Sequence, residues 1–522
     1  MYERIDADVL VIGSGLAGLA AALLASRYGR VVLVTKGGLG DGNSRLAQGG
    51  LAAALAADDS PALHAADTLR AGQGLCDPQA VQDIVARAPA VVRLLAELGV
   101  AFDVAADGAL ALGREGAHTR RRIVHAGGDA TGRMIVDALR ARVRASERIA
   151  VFERARVAEL LVADGECAGA VATAADGGAL QVVARAVVLA TGGLGQLYRY
   201  TTNAFDALGE GYALAYRAGA VLRDMEFVQF HPTALRAAAS PLPLLTEAVR
   251  GEGGVLVNDR GERFMERIHP LGDLAARDVV ARAIYGELQA GRAVFLDARG
   301  IPHLERRFPT LVAACRRHEI DPRSEPIPVV PAAHFCMGGV LTDPCGRTTV
   351  RRLYAIGEVA SSGLHGANRL ASNALLEGVA MAERLAEALP EALDGPVRRV
   401  APPLPAAAVA ALPMQPDPRL LSQIQDLMWA HVGIVRDEDG LARAERALAT
   451  CLERLDPLPT PDRHLVTTAL LVARAARWRR ESRGAHFRRD APHPDPAFCI
   501  HSLQGGAYAS VVGSPVYRTC PA

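Results

Sequence analysis

Ala7-Asp8-Val9-Leu10-Val11-Ile12-Gly13-Ser14-Gly15-Leu16-Ala17-Gly18 decides the fold of this chain. A mainly apolar run ends in a glycine turn and opens into the Ala/Leu-rich segment 19–26. That order predicts strand, turn, helix. Gly13 permits the tight turn, Gly15 lets a pyrophosphate approach the backbone, and Gly18 lets the helix pack close to the strand. The helix N-terminus then faces the phosphates, held by Gly13, Ser14, Gly15, Leu16, Ala17 and Gly18. The glycine pattern alone is weak. Its setting, with a second buried strand at Val31-Val32-Leu33-Val34, marks a dinucleotide site. One position departs from the NAD pattern. The acid that would hold a ribose hydroxyl is replaced by Thr35-Lys36, which weakens an NAD reading. Lys36 is the only lysine among 58 Lys and Arg residues. A compact ammonium differs from a planar guanidinium in reach and geometry. The surviving lysine therefore points to a place where arginine would not serve; the alternative is a chance surface lysine.

The 522 residues predict two or three domains, and a 50% hydrophobic content supplies a large core. A net charge of +1 gives no overall pull towards nucleic acid or acidic lipid. No apolar run reaches membrane-spanning length. The chain passes almost directly into its first strand, which leaves no room for a signal peptide. The eight cysteines are scattered, with no Cys-x-x-Cys pair. That argues against zinc, iron–sulfur clusters and disulfides, and suits a reducing cytoplasm. No metal is expected. The tail crowds Arg474, Arg477, Arg479, Arg480, Arg483, Arg488 and Arg489 around Trp478 and Phe487, a combination that can track phosphates. Glu481 and Asp490 interrupt the run and arginine is the default cation of this chain, so neither a nucleic-acid nor a membrane partner is expected.

Along the chain, Asp77-Pro78 starts a helix to about Leu98, and a polar loop, 113–122, follows. Gly128-Asp129-Ala130-Thr131-Gly132 caps another helix. Short strands fill 150–190, with turns at Asp164-Gly165 and Asp176-Gly177-Gly178. The last strand runs into Thr191-Gly192-Gly193, a second backbone approach to the dinucleotide. Residues 225–337 read as an inserted domain with a helix at 279–288 and a Pro-rich linker at 322–331. A strand at 353–356 and a helix opening near Ser372 return to the first domain. A Pro/Ala linker spans about 389–418, and the tail is helical to about Arg480 and then irregular. The expected fold is α/β: a Rossmann-like dinucleotide-binding domain (1–224 and 338–400), an inserted α+β domain (225–337) that caps it and a C-terminal helical domain (415–522).

Several motifs in this order carry a resemblance: Ala47-Gln48-Gly49-Gly50, His231-Pro232-Thr233, Ala276-Arg277-Asp278-Val279-Val280-Ala281-Arg282, Pro331-Ala332-Ala333-His334 and the segment 363–373. The chain resembles the succinate dehydrogenase/fumarate reductase flavoprotein superfamily nearly end to end, and within it the L-aspartate oxidase family. Many relatives in membrane complexes carry a flavin-linked histidine five positions before the glutamine of Gln-Gly-Gly. Asn43 stands there, so FAD is expected to be non-covalent. The loop Arg114-Glu115-Gly116-Ala117-His118 and the tail segment 481–487 are similar to the oxidase versions. Ala374 departs from the serine that relatives often have near the flavin, which implies one hydrogen bond fewer.

The resemblance implies a set of roles. Lys36, Asn43, Ser44, Arg45, Leu46, Ala47, Gln48, Gly49 and Gly50 line the flavin ring and ribityl side. Asp206 is a further flavin contact, Glu358 meets a ribityl hydroxyl, and Ala374 and Leu375 offer backbone amides. His231, Thr246, His334 and Arg369 surround the two carboxylates of a dicarboxylate, for which arginine's planar fork is suited. Glu115 reads a substrate ammonium; its alternative is a surface carboxylate paired with Arg120, Arg121 or Arg122. If it binds substrate it acts beneath a closed loop, since a buried ion pair must offset desolvation. Arg277 matches the family's catalytic arginine, a proton shuttle. Free arginine has a pKa above about 12, so a shuttle needs Glu247 or Glu252 to pass the proton on; otherwise Arg277 only orients substrate. His125 and His365 are either site residues or packed, hydrogen-bonded histidines.

The implied activity is oxidation of L-aspartate to iminoaspartate, the first step of de novo NAD biosynthesis, with dioxygen or fumarate as acceptor and product passing to quinolinate synthase. The alternative is a soluble fumarate reductase or the flavoprotein subunit of a succinate dehydrogenase-type complex. The Glu115 loop discriminates, because succinate has no ammonium.

Overall fold

The computed structural model describes residues 1–514, and the statements below concern those residues. The opening strand, Glu3–Ile12, is the spine of a seven-stranded sheet. It pairs in parallel with Val31–Val34 on one side and with Ala179–Leu189 on the other. Ile149–Phe152 extends the first edge in parallel, and Leu353–Ala355 pairs with the end of Ala179–Leu189. Glu166–Thr173 and Arg156–Ala163 complete the sheet as an antiparallel hairpin run. The strands Val9–Ile12 and Val31–Val34 are buried throughout, as parallel strands covered on both faces must be. Helices Leu16–Ala25 and Asn373–Ala392 cover one face, and the close approach of Gly378 to Ala17 brings their N-terminal ends side by side.

The segment 225–337 leaves this core through Val228–Leu235, which is buried along its length. That strand pairs with Ile327–Cys336, and Val294–Asp297 and Val255–Asn258 complete a four-stranded antiparallel sheet. Helix Arg277–Gln289 packs on it, over an apolar cluster that includes Leu256, Ile284, Leu296 and Val329. The sequence reads 322–331 as a linker, but Ile327–Cys336 is a strand containing Pro328 and Pro331. The register slips between His231 and Ala234, so Pro331 lies opposite this irregularity, where a missing ladder N–H is tolerated.

The tail also differs from expectation. Helices Pro418–His431, Glu438–Arg454 and Pro461–Trp478 form as read. Beyond them the chain is not irregular. His501–Gly505 pairs antiparallel with Val221–Arg223, and Tyr508–Ser514 pairs back on it. The short alternating stretch hides this, because its partner, Val221–Arg223, lies far upstream in the chain. No helix among the described residues is long and apolar enough to cross a membrane.

Candidate active site

A cleft of about 580 Å³ runs from the glycine turn to the inserted segment. Every residue that the motifs and the resemblance assign to cofactor or substrate lines it except Gly18, whereas Glu252, His125 and His365, offered as alternatives, do not. A Cβ on Gly18 would lie 2.0 Å from the Gly13 carbonyl oxygen, so this glycine serves helix–turn packing. Gly13 has φ +105° and a Cβ there would meet the Ala190 carbonyl oxygen at 2.3 Å. Gly15, by contrast, faces little protein, and helix Leu16–Ala25 begins without a side-chain cap. Its first amide, of Leu16, donates to Ser44 Oγ at 3.1 Å. This end of the cleft is thus a helix start with no cap from its own N-cap residue and only the Ser44 hydroxyl near its first amide, which suits a pyrophosphate.

Lys36 occupies a tight niche. Its ammonium donates to the Asp206 carbonyl at 3.1 Å and to Glu210 Oε1 at 3.3 Å. Arg156 approaches Glu210 from the other side at 3.2 Å. Burial would raise the Glu210 carboxyl, but Lys36 and Arg156 hold it down at about 2. Asn43 accepts the Ala204 amide at 2.8 Å. Glu358 accepts the Cys336 amide at 3.0 Å, and burial pushes its carboxyl up to about 7. The helix Asn373–Ala392 also starts without a side-chain cap, and Ala374 and Leu375 line the cleft at its first turn.

At the far end the cleft is built for anions. Arg369 lies 4.4 Å over the Phe335 ring and has no ion pair among the described residues. Burial and the neighbouring Arg277 lower its guanidinium to about 9. His231 and His334 stand edge to face at 5.1 Å. Burial and the nearby arginines hold both well below the usual histidine range, so both are neutral. His231 Nδ1 accepts the Thr233 amide at 3.2 Å, which leaves its Nε2–H as a donor. His334 Nδ1 shares a hydrogen bond of 2.8 Å with the Thr202 hydroxyl. Thr246 Oγ1 accepts the Ala248 amide at 3.4 Å, leaving the hydroxyl proton available.

Arg277 opens the helix Arg277–Gln289. Its Nε donates to Glu247 Oε2 at 2.6 Å and its Nη1 to Gln229 Oε1 at 3.0 Å. Arg250 Nη2 lies 3.3 Å from the other Glu247 oxygen. Burial would raise Glu247, yet Arg277 and Arg250 hold it below the usual carboxylate range. Glu252, the other relay candidate, is not in this line: it pairs with Arg307 at 2.5 Å.

Glu115 is 4% exposed and has no ion pair among the described residues. Ser372 Oγ donates to its Oε2 at 2.6 Å. The sequence offered Arg122 as a partner, but Arg122 is bound by Asp59 and Asp67. His365 contacts Glu377 at 2.9 Å and is absent from the cleft wall, a packed histidine. The roles of Gln229, Arg250, Thr202 and Ser372 were not visible in the sequence. Each acts through a contact across the fold, and none sits in a motif that names its chemistry.

The chain matches the FAD binding domain family over residues 8–375 and the fumarate reductase flavoprotein C-terminal family over residues 462–511. A quinol-fumarate reductase solved with menaquinol molecules superposes at a TM-score of 0.87, with 31% identity and complete coverage of both chains. The Mycobacterium smegmatis Sdh1 structure with UQ1 superposes at 0.82, with 33% identity over 98% of this chain and 94% of that one. Fold and cleft define an FAD-dependent oxidoreductase of the succinate dehydrogenase/fumarate reductase flavoprotein superfamily. L-aspartate oxidases of Streptomyces coelicolor and Agrobacterium fabrum are 49% and 48% identical over 93% of this chain, covering 89% and 91% of those proteins. That of Bacillus subtilis is 43% identical over 95% of this chain and 94% of its own length. The chain belongs to the L-aspartate oxidase family.

The cleft fits FAD on its own terms. Gln48 Oε1, Thr191 Oγ1 and Arg369 Nε are buried there without hydrogen-bond partners among the described residues, a costly state unless a ligand completes them. Gly192, at φ +75°, has open space where a side chain would lie. With Asn43 at the position of the linked histidine, FAD is held non-covalently.

Proposed function

We propose that this chain oxidises L-aspartate to iminoaspartate at the start of NAD biosynthesis, with dioxygen or fumarate as electron acceptor. One observation carries the reading. Glu115 and Arg369, of opposite charge, line a single cleft, and neither has an ion pair among the described residues. A ligand with one ammonium and two carboxylates completes both; succinate or fumarate completes only Arg369. When bound, FAD supplies the two-electron chemistry, accepting a hydride from the substrate Cα.

The residues do the rest. Arg369 grips carboxylate oxygens, and neutral His231, His334 and Thr246 donate hydrogen bonds without adding charge. Glu115 takes the ammonium. The anionic Glu247, 2.6 Å from Arg277, gives a proton on Arg277 somewhere to go, and Arg250 extends the path. The same ion pair favours the charged arginine, so the proton leaves it only transiently, as the substrate proton replaces it. For fumarate reduction the same line runs inward and delivers a proton to carbon. We take 225–337 as the capping unit that presents Arg277, His231 and His334, and 1–224 with 338–400 as the unit that holds FAD. On this reading the enzyme works in the cytoplasm and hands iminoaspartate to quinolinate synthase.

The flavoprotein subunits among the solved relatives favour a second reading, as a fumarate reductase or succinate dehydrogenase. Anaerobic mixing of the flavin-loaded protein with L-aspartate, then succinate, separates the two. L-Aspartate alone is expected to bleach the flavin absorbance; bleaching by succinate alone would overturn the proposal. Glu115→Gln is expected to depress L-aspartate oxidation at least a hundredfold more than fumarate reduction, as a lost charged contact to substrate implies. An equal fall in both would remove the role given to Glu115.

A further inference from the structure

Ser372 stands just before the helix Asn373–Ala392, where a serine hydroxyl ordinarily accepts a hydrogen bond from the first turn. It does not do so. The hydroxyl turns away and donates to Glu115 Oε2 at 2.6 Å, the length of a charge-assisted bond. The backbone there is left-handed, at φ +62° and ψ 6°, a conformation that glycine or asparagine adopts more readily than serine. The Ser372 carbonyl accepts the Ala52 amide at 3.1 Å, so the backbone is fixed from a second side. Serine is thus held in an unfavourable backbone with its capping function unused, and the hydroxyl's one hydrogen bond among the described residues goes to the Glu115 carboxylate. The other oxygen, Oε1, lies beside Gly49, where even a Cβ would approach it to 3.0 Å.

We propose that Ser372 is a positioning residue for substrate selection: it ties down Glu115 Oε2 so that Oε1 alone is presented to the substrate ammonium. The assignment rests on the reading of Glu115 as the ammonium acceptor. Ser372 itself touches the carboxylate, not the reacting atoms. It also belongs to the turn that starts a helix lining the flavin end of the cleft. The amine reader is thereby registered against the cofactor site, and not against the loop 114–118 alone.

Two variants isolate the hydroxyl. Ser372→Gly keeps the left-handed backbone without strain and removes the donor; Ser372→Asn keeps the backbone and restores an N–H donor. With activities expressed per bound flavin, Ser372→Gly is expected to lower the ratio of L-aspartate oxidation to dye-driven fumarate reduction about tenfold, mainly through KM, for one charged hydrogen bond lost. A carboxylate that loses a donor protonates more readily. The acidic limb of the kcat/KM profile for L-aspartate is therefore expected to move to higher pH. Ser372→Asn is expected to recover both. Equal falls in the two activities, an unmoved acidic limb, or an asparagine variant no better than glycine would overturn the assignment. Glu115→Gln, run alongside, separates the two ideas. If it collapses the ratio and Ser372→Gly does not, only the role of Ser372 fails. If Glu115→Gln keeps the ratio, the reading of Glu115 fails and the assignment falls with it.

Discussion

Arg369 lies over Phe335 with its Nε unpaired, and its guanidinium titrates at about 9. A cation is needed to receive a carboxylate. In the free enzyme the cation is present below that pH and is lost above it, and kcat/KM reports groups of the free enzyme. The efficiency for L-aspartate is therefore expected to fall as pH rises through about 9, with KM carrying the loss. Arg369→Lys is expected to cost about 10²-fold in kcat/KM, because an ammonium replaces a bidentate fork with a point charge and abandons the Phe335 face. A flat profile to pH 10 would contradict this. Lys36 presents the opposite case. Its ammonium donates to the Asp206 carbonyl and to Glu210, which Arg156 approaches from the other side. The single lysine was legible in the sequence as an oddity of composition. Its partner was not, since Glu210 lies 174 residues away in an ordinary helical stretch. The folded-state carboxyl of Glu210 is depressed. Its contribution to stability is thus present above the unfolded value, near 4.3, and is lost as pH falls towards about 2.

The loop that carries Glu115 is an element fixed from beneath. Arg122, fully buried, forks onto Asp59 at 2.8 and 2.9 Å and reaches Asp67 at 2.7 Å. Asp67 also accepts the Thr119 amide and hydroxyl, and His118 bonds the Ala371 carbonyl at 3.0 Å. The loop is therefore tied to the residues beneath it by buried bonds, and the closed loop over substrate that the sequence suggests is one that keeps them. Arg122→Ala leaves two buried carboxylates without their cation, and is expected to destabilise the protein by about 3–5 kcal/mol. Denaturant unfolding measures this, and faster hydrogen exchange across 112–124 would locate it. Arg122→Lys is not expected to rescue, since an ammonium is a single point charge and cannot fork onto both Asp59 oxygens while also reaching Asp67. Asp59 and Asp67 are buried, which would raise them, but the bonds to Arg122 and Thr119 hold both below the usual carboxylate range. Their contribution should likewise disappear as pH drops below the normal carboxylate range. In the sequence the run of three arginines reads as solvated surface. Which of them turns inward depends on Asp59 and Asp67, and no local pattern announces that choice.

Across the whole molecule, what the sequence exposed was whatever local chemistry determines: the glycine turn, the strand–helix alternation, and motifs whose residues touch ligand. What it hid was closure between distant segments. The tail shows this most plainly. Arg479 is wholly buried between Glu226, at 2.6 Å, and Glu481, at 3.0 Å, and Ser502 donates to Glu226 at 2.7 Å. The arginine cluster that resembled a phosphate-tracking surface is in part an internal clamp at the start of the inserted segment. A second junction spans the cleft. Asp129 accepts the amides of Thr310 at 2.9 Å and Leu311 at 3.0 Å, the first turn of helix Pro309–Arg317, which has no side-chain cap of its own. A carboxylate at a helix N-terminus is favourable through both hydrogen bonds and the helix dipole. Here the carboxylate comes from the turn before helix Thr131–Arg144, so it also ties the capping unit to the flavin-binding unit. Asp129 and Thr310 both line the cleft, and binding that includes closure of this junction loses affinity when the closed state is less populated. Asp129→Ala removes about 1–2 kcal/mol of capping, enough to raise KM for L-aspartate about tenfold while chemistry in the closed state, and so kcat, changes little. Hydrogen exchange at Thr310 and Leu311 should quicken with it. If KM stays fixed while those amides exchange faster, the cap is a local stabiliser of one helix, and closure is governed elsewhere.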